Sequence, residues 1–308
     1  MNTQVSCEIR KKKIILKNPI MSAPGGFGNI IEYKDFVDLS KVGALIPNSM
    51  LKEDGGPNGI NKFMTTPYGY LSSFGPNNIG LATFIQEVLP KIPEDAAPVI
   101  VDIKAKSMEE MGESVELAAK TEKIMAVEVN LNCPYASPEP LYWTDPKKLE
   151  ELMGIVRQAA GEKLVIAKAP GGIYPMKEMA EILEKAGTDM FVPFNCIDGC
   201  AVNVRTRTVQ GGGFFGPGIK PVALSRCKEA ASVFHIPVIG AGGITCAEDI
   251  LEYLMVGAFA VQVGSANLTR PDFMQNLPDE LEKLQEELGI ESLDDIRGTA
   301  KMIQMNVF

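Results

Sequence analysis

Short apolar runs alternate with amphipathic segments along most of the chain. The runs are rich in Val, Ile and Ala, and they lack the regular apolar-polar alternation of a sheet with one solvated face. This composition predicts strands that are buried on both faces. Eight runs fit such strands: Pro19–Ala23, Ala44–Pro47, Val99–Ile103, Ala126–Leu131, Leu164–Lys168, Met190–Pro193, Val238–Ala241 and Ala260–Val263. Upstream, Val5–Arg10 and Ile14–Lys17 flank a Lys11-Lys12-Lys13 turn and predict an N-terminal β-hairpin.

Helix signals lie between most of these strands. Ser107 to Glu110 and Thr245 to Glu248 have the spacing of capping boxes, and Asp145-Pro146 supplies an N-cap with proline in the first turn. Gly187 and Gly257 follow helical segments, as C-terminal caps do. Eight strand-helix repeats imply parallel strands with right-handed crossovers, and eight strands close a barrel. We therefore expect an α/β protein with a (β/α)8 TIM barrel, formed by one domain over residues 1–308.

Two long segments interrupt the strand-helix repeat. The first runs from Leu51 to Asn78, and the second runs from Cys196 to Lys220. Both follow strands, so both should emerge on the C-terminal face of the barrel. Active sites of such barrels lie on that face, and long structured loops there usually form a pocket wall or lid.

Glycine clusters follow the last two strands. Gly240-Ala241-Gly242-Gly243-Ile244 comes after the seventh strand, and Gln262-Val263-Gly264-Ser265-Ala266 comes after the eighth. Glycine allows the backbone to approach a phosphate closely, and N–H groups at helix starts supply donors. Loops after strands seven and eight are the usual phosphate site of these barrels. We expect a bound phosphate there, with Gly212 to Pro217 adding a flexible loop near the cofactor.

Two reactive side chains end apolar strands. Cys133 follows Val127-Glu128-Val129-Asn130-Leu131-Asn132 and precedes a proline, which places a thiol at the mouth of the barrel. Lys168 closes the fifth strand, where a lysine is costly unless it is paired or functional. Lys168 could contact a flavin, form a Schiff base as in an aldolase, or simply reach solvent at the rim. Cys133 could serve as an acid/base group or as a small apolar core residue.

Composition narrows the class of protein. The 308 residues carry a net charge of −9, which argues against nucleic acid and anionic membranes as partners. The six cysteines include no Cys-x-x-Cys pair and the single histidine is His235, so we expect no metal site. Scattered cysteines indicate a reducing compartment. No signal-like or membrane-length apolar run is present, which makes a cytoplasmic location the expectation.

Taken together, the motifs resemble the class 1 dihydroorotate dehydrogenases, and also the related flavin domain of dihydropyrimidine dehydrogenase. The resemblance extends over most of the chain and is carried by the order and spacing of several segments. These are Asn18-Pro19-Ile20-Met21-Ser22-Ala23, Asn130-Leu131-Asn132-Cys133-Pro134, Ala167-Lys168-Ala169-Pro170, Gly216-Pro217-Gly218-Ile219-Lys220-Pro221, both glycine clusters and Ser292-Leu293-Asp294-Asp295-Ile296-Arg297-Gly298.

The resemblance implies an FMN cofactor and a catalytic thiol. Cys133 would remove a proton from one ring carbon of the substrate while hydride leaves the adjacent carbon. Residues implied to hold FMN are Ala23, Gly25, Ser49, Asn130, Lys168, Gly216, Gly242, Gly243, Gly264 and Ser265. Residues implied to face the substrate are Asn48, Ser72, Asn130, Tyr135, Asn195 and Cys196.

The sequence departs from the family pattern on the substrate side. Asn48 stands where the family usually has a lysine, and Ser72 stands where it usually has an asparagine. Tyr135 and Cys196 replace a further asparagine and a Ser or Thr. Burying a substrate carboxylate without a cation costs several kcal/mol. We therefore expect an FMN-dependent oxidoreductase that acts on a C–C bond next to a carbonyl, in a cyclic or conjugated substrate that differs from dihydroorotate.

Three alternatives stay open at this point. One is a true class 1 dihydroorotate dehydrogenase of pyrimidine biosynthesis. Another is a flavin-free lyase that uses Lys168 as a Schiff base, and a third is a flavin-binding protein without catalysis. The resemblance favours a homodimer, and the lack of a cysteine cluster means that any iron–sulfur relay must come from a separate electron-transfer subunit.

Overall fold

A computed structural model describes residues 2–53, 63–72, 78–134 and 139–302. Within these residues the chain forms a β-hairpin, a ring of parallel strands and a small antiparallel sheet. The strands are β1 (Val5–Ile9), β2 (Lys12–Leu16), β3 (Ile20–Ser22), β4 (Phe63–Thr66), β5 (Gly69–Ser72), β6 (Val99–Ile103), β7 (Ile124–Asn130), β8 (Leu164–Lys168), β9 (Met190–Val192), β10 (Ile197–Asn203), β11 (Thr208–Phe215), β12 (Ile239–Ala241) and β13 (Ala260–Val263).

The parallel strands close into the (β/α)8 barrel that the sequence predicts. β6, β7, β8 and β9 are adjacent in that order, as are β12, β13 and β3. A bridge from Phe191 to Val238 joins the two groups on one side. On the other side the predicted second strand is an extended segment with single bridges, from Ala44 to Met21 and from Leu45 to Val99. Pro47 interrupts this segment, and its missing N–H explains why no continuous ladder forms.

Helices follow the barrel strands on the outside. Their bounds are α1 (Leu81–Thr83, continued by a π-turn over Phe84–Val88 and a 3-10 turn over Leu89–Lys91), α2 (Met108–Ala119), α3 (Pro146–Ala160), α4 (Met176–Lys185), α5 (Lys220–Val233), α6 (Ala247–Met255), α7 (Ala266–Thr269) and α8 (Phe273–Glu287). Short 3-10 turns cover Ile31–Tyr33, Tyr142–Thr144, Pro217–Ile219 and Leu293–Ile296. None of the helices in the described ranges has the length and apolar character needed to span a bilayer.

The N-terminal hairpin is present, but its turn is shorter than the Lys11-Lys12-Lys13 turn expected from the sequence. Ile9 pairs with Lys12, so the turn consists of Arg10 and Lys11, both with positive φ. Two-residue turns with positive φ match the right-handed twist of the flanking strands. Lys12 and Lys13 therefore belong to β2, whose outer face is solvated.

The two predicted insertions pair with each other. β4 and β5 come from the first, β10 and β11 come from the second, and the four form an antiparallel sheet in the order β10-β11-β5-β4. The flexible loop predicted over Gly212 to Pro217 is wrong for its first four residues, because Gly212 to Phe215 lie within β11. A Cβ on Gly213 would lie 2.5 Å from Sγ of Cys196, so glycine permits a close approach there. The sheet forms one wall above the barrel mouth.

Candidate active site

A cavity of about 270 Å³ lies between the carboxyl ends of β8, β12 and β13 and the antiparallel sheet. Eleven of the predicted site residues line it. They are Ala23, Gly25, Ser72, Lys168, Asn195, Cys196, Gly216, Gly242, Gly243, Gly264 and Ser265. Phe194, Phe215 and Ile219 add apolar surface. A mostly apolar cleft with a few polar groups is the usual form of a cofactor site.

Asn48, Ser49 and Asn130 do not line this cavity. Asn48 and Ser49 belong to the extended segment at the second strand position, where the Asn48 N–H donates to the carbonyl of Gly28. Asn130 ends β7 and is buried, with its amide nitrogen 3.4 Å from both carboxylate oxygens of Asp102. Tyr135 lies outside the described residues.

Glycines let neighbouring backbone segments approach each other around the cavity. A Cβ on Gly26 would lie 2.5 Å from the carbonyl oxygen of Gly264, so the loops after the first and eighth strands approach each other closely. Gly243 has a φ of 71°, and a Cβ there would lie 2.9 Å from the backbone nitrogen of Lys220. Side chains cannot occupy these positions, so the backbone itself forms this wall. Such a wall fits a ligand that carries phosphate.

The loop after β12 is held by a charged cap on α6. The sequence places this capping box at Thr245 and Glu248, but the structure places it one residue later, at Cys246 and Asp249. The Asp249 carboxylate accepts hydrogen bonds from Thr245 and Cys246 and from the Lys220 ammonium at 2.5 Å. Burial alone would raise the pKa of Asp249, but the hydrogen bonds from Lys220 and Thr245 outweigh it and lower that pKa. The cap thus fixes the glycine loop from below.

A buried polar network lies beneath the cavity floor. The Lys168 ammonium donates to the amide oxygen of Gln262 at 2.6 Å and lies 3.3 Å from a carboxylate oxygen of Glu128. The Gln262 amide nitrogen donates to the other oxygen of Glu128. Asp102 is opposite Glu128 in the β6–β7 register. All four side chains are buried, and the ion pair between Lys168 and Glu128 compensates the charge of each partner inside the barrel.

Glu128 is the titratable centre of this network. Burial raises its pKa to about 7, the Lys168 charge opposes that rise, and the neighbouring Asp102 carboxyl reinforces it. A hydrogen bond between the Asp102 and Glu128 carboxyls also favours the protonated form. Lys168 is therefore held by a partner whose charge changes near neutral pH.

Cys133 lies at the adjacent strand end. Its side chain is fully buried, and Sγ donates to the carbonyl oxygen of Ala105 at 3.3 Å. The main-chain carbonyl of Cys133 accepts from Tyr142 N–H at 2.7 Å. Burial raises the pKa of the thiol to about 12, although the bond to Ala105 acts against the rise. The described neighbours therefore keep Cys133 protonated at neutral pH.

Several residues of the network were missed in the sequence reasoning. Asp102 in Val101-Asp102-Ile103, Glu128 in Val127-Glu128-Val129 and Gln262 in Val261-Gln262-Val263 are single polar residues within apolar strands. Because buried charged groups are almost always paired, such positions are the signal that could have identified the network. Lys104 directly follows β6 and is likewise a charged residue beside an apolar strand.

Comparison with known proteins gives a consistent family match. The family model for dihydroorotate dehydrogenase matches residues 7–285. The chain is 35% identical over 292 residues to the protein named dihydroorotate dehydrogenase B (NAD(+)), catalytic subunit, from Maridesulfovibrio salexigens, covering 93% of this chain and 96% of that protein. It is 36% identical over 290 residues to the identically named protein of Geotalea uraniireducens, with 92% and 95% covered.

A solved structure shares the fold. A dihydroorotate dehydrogenase from Eimeria tenella, in complex with ferulenol, superposes with a TM-score of 0.79. The similarity covers 96% of this chain and 88% of that one at 16% sequence identity. This likeness supports the barrel architecture.

Proposed function

The chain belongs to the dihydroorotate dehydrogenase family of flavin-dependent oxidoreductases that act on CH–CH bonds, and we propose that it oxidises dihydroorotate to orotate with bound FMN. The observation that carries the proposal is the cavity in which Lys168 meets the glycine loops, with Cys133 at the neighbouring strand end. The relatives cover more than nine tenths of the chain and carry this activity in their names. The Schiff-base lyase consequently loses its support.

The cavity fits FMN by the chemistry of its walls. We assign the phosphate to the backbone around Gly242, Gly243, Gly264 and Ser265, where side chains are absent or small. Lys168 supplies a cation at the cavity wall, suited to the ring edge that becomes negative on reduction. When bound, FMN supplies a two-electron acceptor for hydride.

We assign proton abstraction from the substrate to Cys133. Its thiol can take a proton from the ring carbon next to the substrate carbonyl once it has released its own. Because burial raises its pKa, the thiolate is scarce at neutral pH and becomes more abundant as pH rises. Asn130, Asn195 and Cys196 are assigned to the planar substrate, where their hydrogen-bonding groups can fix its orientation.

A second candidate substrate is a neutral cyclic carbonyl compound, such as a dihydropyrimidine without a carboxylate. Asn48 and Ser72 favour it, because neither supplies the positive charge that a buried carboxylate needs. The proposal for dihydroorotate is better supported, since relatives with that activity align over nearly the whole chain.

The relatives are named catalytic subunits of NAD(+)-linked enzymes, so we also propose that a separate electron-transfer subunit reoxidises this protein. The homodimer, the cytoplasmic location and the single domain over residues 1–308 stay predictions.

Steady-state oxidation with an artificial electron acceptor tests the function. The purified holoenzyme should form orotate from dihydroorotate, and dihydrouracil should be a much poorer substrate. Turnover of dihydrouracil without turnover of dihydroorotate would instead establish the neutral substrate class.

A further inference from the structure

Lys104 lies on the substrate side of the barrel mouth. It directly follows β6, and its N–H donates to the carbonyl of Met50 at 2.9 Å. Met50 follows Asn48 by two residues, so Lys104 is on the strand adjacent to the position of Asn48. The next residue, Ala105, is the one whose carbonyl accepts the Cys133 thiol hydrogen bond. The backbone of Lys104 is therefore placed between the Asn48 segment and the thiol.

The side chain of Lys104 has charged and polar neighbours at the barrel mouth. It is half-buried and interacts electrostatically with Asp102, Cys196 and Lys168. Cys196 and Lys168 both line the cavity, Lys168 from the end of β8 and Cys196 from the segment after the adjacent β9. Burial lowers the pKa of Lys104, Asp102 opposes that change, and the nearby Lys168 charge reinforces it. An ammonium in such surroundings gains stability when an anion arrives.

The neighbouring charged groups define the electrostatic surroundings of Lys104. Lys168 is engaged with Glu128 and Gln262 beneath the cavity. Asp102 is shared with Asn130 and with the Glu128 carboxyl. Protonation of Glu128, whose pKa is raised by burial, removes one negative charge from this cluster and makes it more favourable for a bound carboxylate.

We propose that Lys104 recognises the carboxylate of the substrate and so determines specificity for an anionic ring, an inference that rests on the proposed function. Lys104 supplies from the third strand the positive charge that Asn48 does not supply from the second. A charge-assisted hydrogen bond from an ammonium to a carboxylate is strong, and it compensates the cost of removing the carboxylate from water.

Ligand binding to the holoenzyme tests this role without turnover. Orotate and uracil are the probes, because uracil has the same ring without the carboxylate. Binding is followed by the change in flavin absorbance and by calorimetry, in wild type, Lys104→Met and Lys104→Arg. Lys106→Met is the matched control, since Lys106 is exposed and lies two residues further along.

We expect Lys104→Met to weaken orotate binding about 10- to 100-fold and to leave uracil binding and flavin content unchanged. Lys106→Met should bind both ligands as wild type does. In wild type, orotate affinity should fall at alkaline pH as Lys104 deprotonates. Lys104→Arg should retain orotate binding and should lose this alkaline decline, because arginine stays charged.

The outcomes separate the inference from the proposed function. Unchanged orotate affinity in Lys104→Met, or an equal loss for orotate and uracil, would overturn the role of Lys104 and leave the function intact. A wild-type protein that binds uracil but not orotate would overturn both. If Lys104→Met does not retain flavin, Lys104→Arg provides the test instead. An alkaline decline of orotate affinity that persists in Lys104→Arg would overturn the role of Lys104.

Discussion

Lys168→Met removes the cation from the buried network and should destabilise the protein in a pH-dependent manner. In the wild type the Lys168 ammonium lies 3.3 Å from the Glu128 carboxylate, and both side chains are almost completely buried. Removing one partner of a buried pair leaves the other charge uncompensated. Glu128 can avoid that cost by staying protonated, so the loss should depend on whether it is ionised in the wild type.

The magnitude follows from the raised pKa of about 7 for Glu128 in the wild type. At about pH 8.5 its ionisation contributes about 2 kcal/mol relative to a carboxyl held protonated, at about 1.4 kcal/mol per pH unit. Without Lys168 the pKa rises further and this contribution is lost. At about pH 5.5 the carboxyl is protonated in both proteins, so the contribution disappears. Glu128 is ionised in the unfolded wild type and in the unfolded variant, so its ionisation in the unfolded state does not contribute to the difference in stability between the two proteins.

Urea unfolding of the flavin-free proteins at the two pH values measures the difference, because flavin binding then does not contribute. Lys177→Met, on the exposed face of α4, is the matched control and should show no such pH dependence. The double variant with Glu128→Gln should remove the extra loss at high pH. An equal loss at both pH values in Lys168→Met would refute the coupling between Lys168 and Glu128.

Three further changes test the site. Cys133→Ser should lower turnover of dihydroorotate about 10²- to 10⁴-fold without loss of flavin. The wild-type rate should rise from neutral to alkaline pH because burial raises the pKa of the thiol. A pH-independent wild-type rate, or an unaffected variant, would exclude the thiol as base. Gly243→Ala should weaken FMN binding at least about tenfold, because Gly243 has a positive φ and a Cβ there would meet the Lys220 backbone. The control Gly154→Ala, on an open face of α3, should bind FMN normally and should be more stable by about 0.5–1 kcal/mol. Asp249→Asn should lower the free energy of unfolding in urea by about 1–3 kcal/mol near pH 7. This loss should shrink as the pH falls through the lowered pKa of Asp249, because the wild-type carboxylate is then neutral as well. A constant loss down to acid pH would contradict the charged cap.

Local patterns predicted the barrel well. Leu164–Lys168 and Ala260–Val263 have the bounds that the sequence indicates, because strands buried on both faces are uninterrupted apolar runs. Ser107 caps α2 as expected, with its hydroxyl accepting from the Glu110 N–H. These features depend on neighbouring residues only.

Features that depend on distant residues were harder to predict. Glu128 and Gln262 are 134 positions apart, so no local pattern reveals that they share a hydrogen bond. β5 and β11 come from different insertions, and the glycines of β11 resemble a loop when its partner strands are unknown. Lys104 lay between an apolar strand and a helix cap, where a solvated lysine is the ordinary interpretation.

Anaerobic reduction of the bound FMN by dihydroorotate tests the proposed function most directly. Dihydroorotate should bleach the flavin of the wild type in a single turnover, and the Cys133→Ser variant should bleach far more slowly with the same flavin content. A flavin that stays oxidised with dihydroorotate but is bleached by a neutral cyclic carbonyl donor would contradict the proposal.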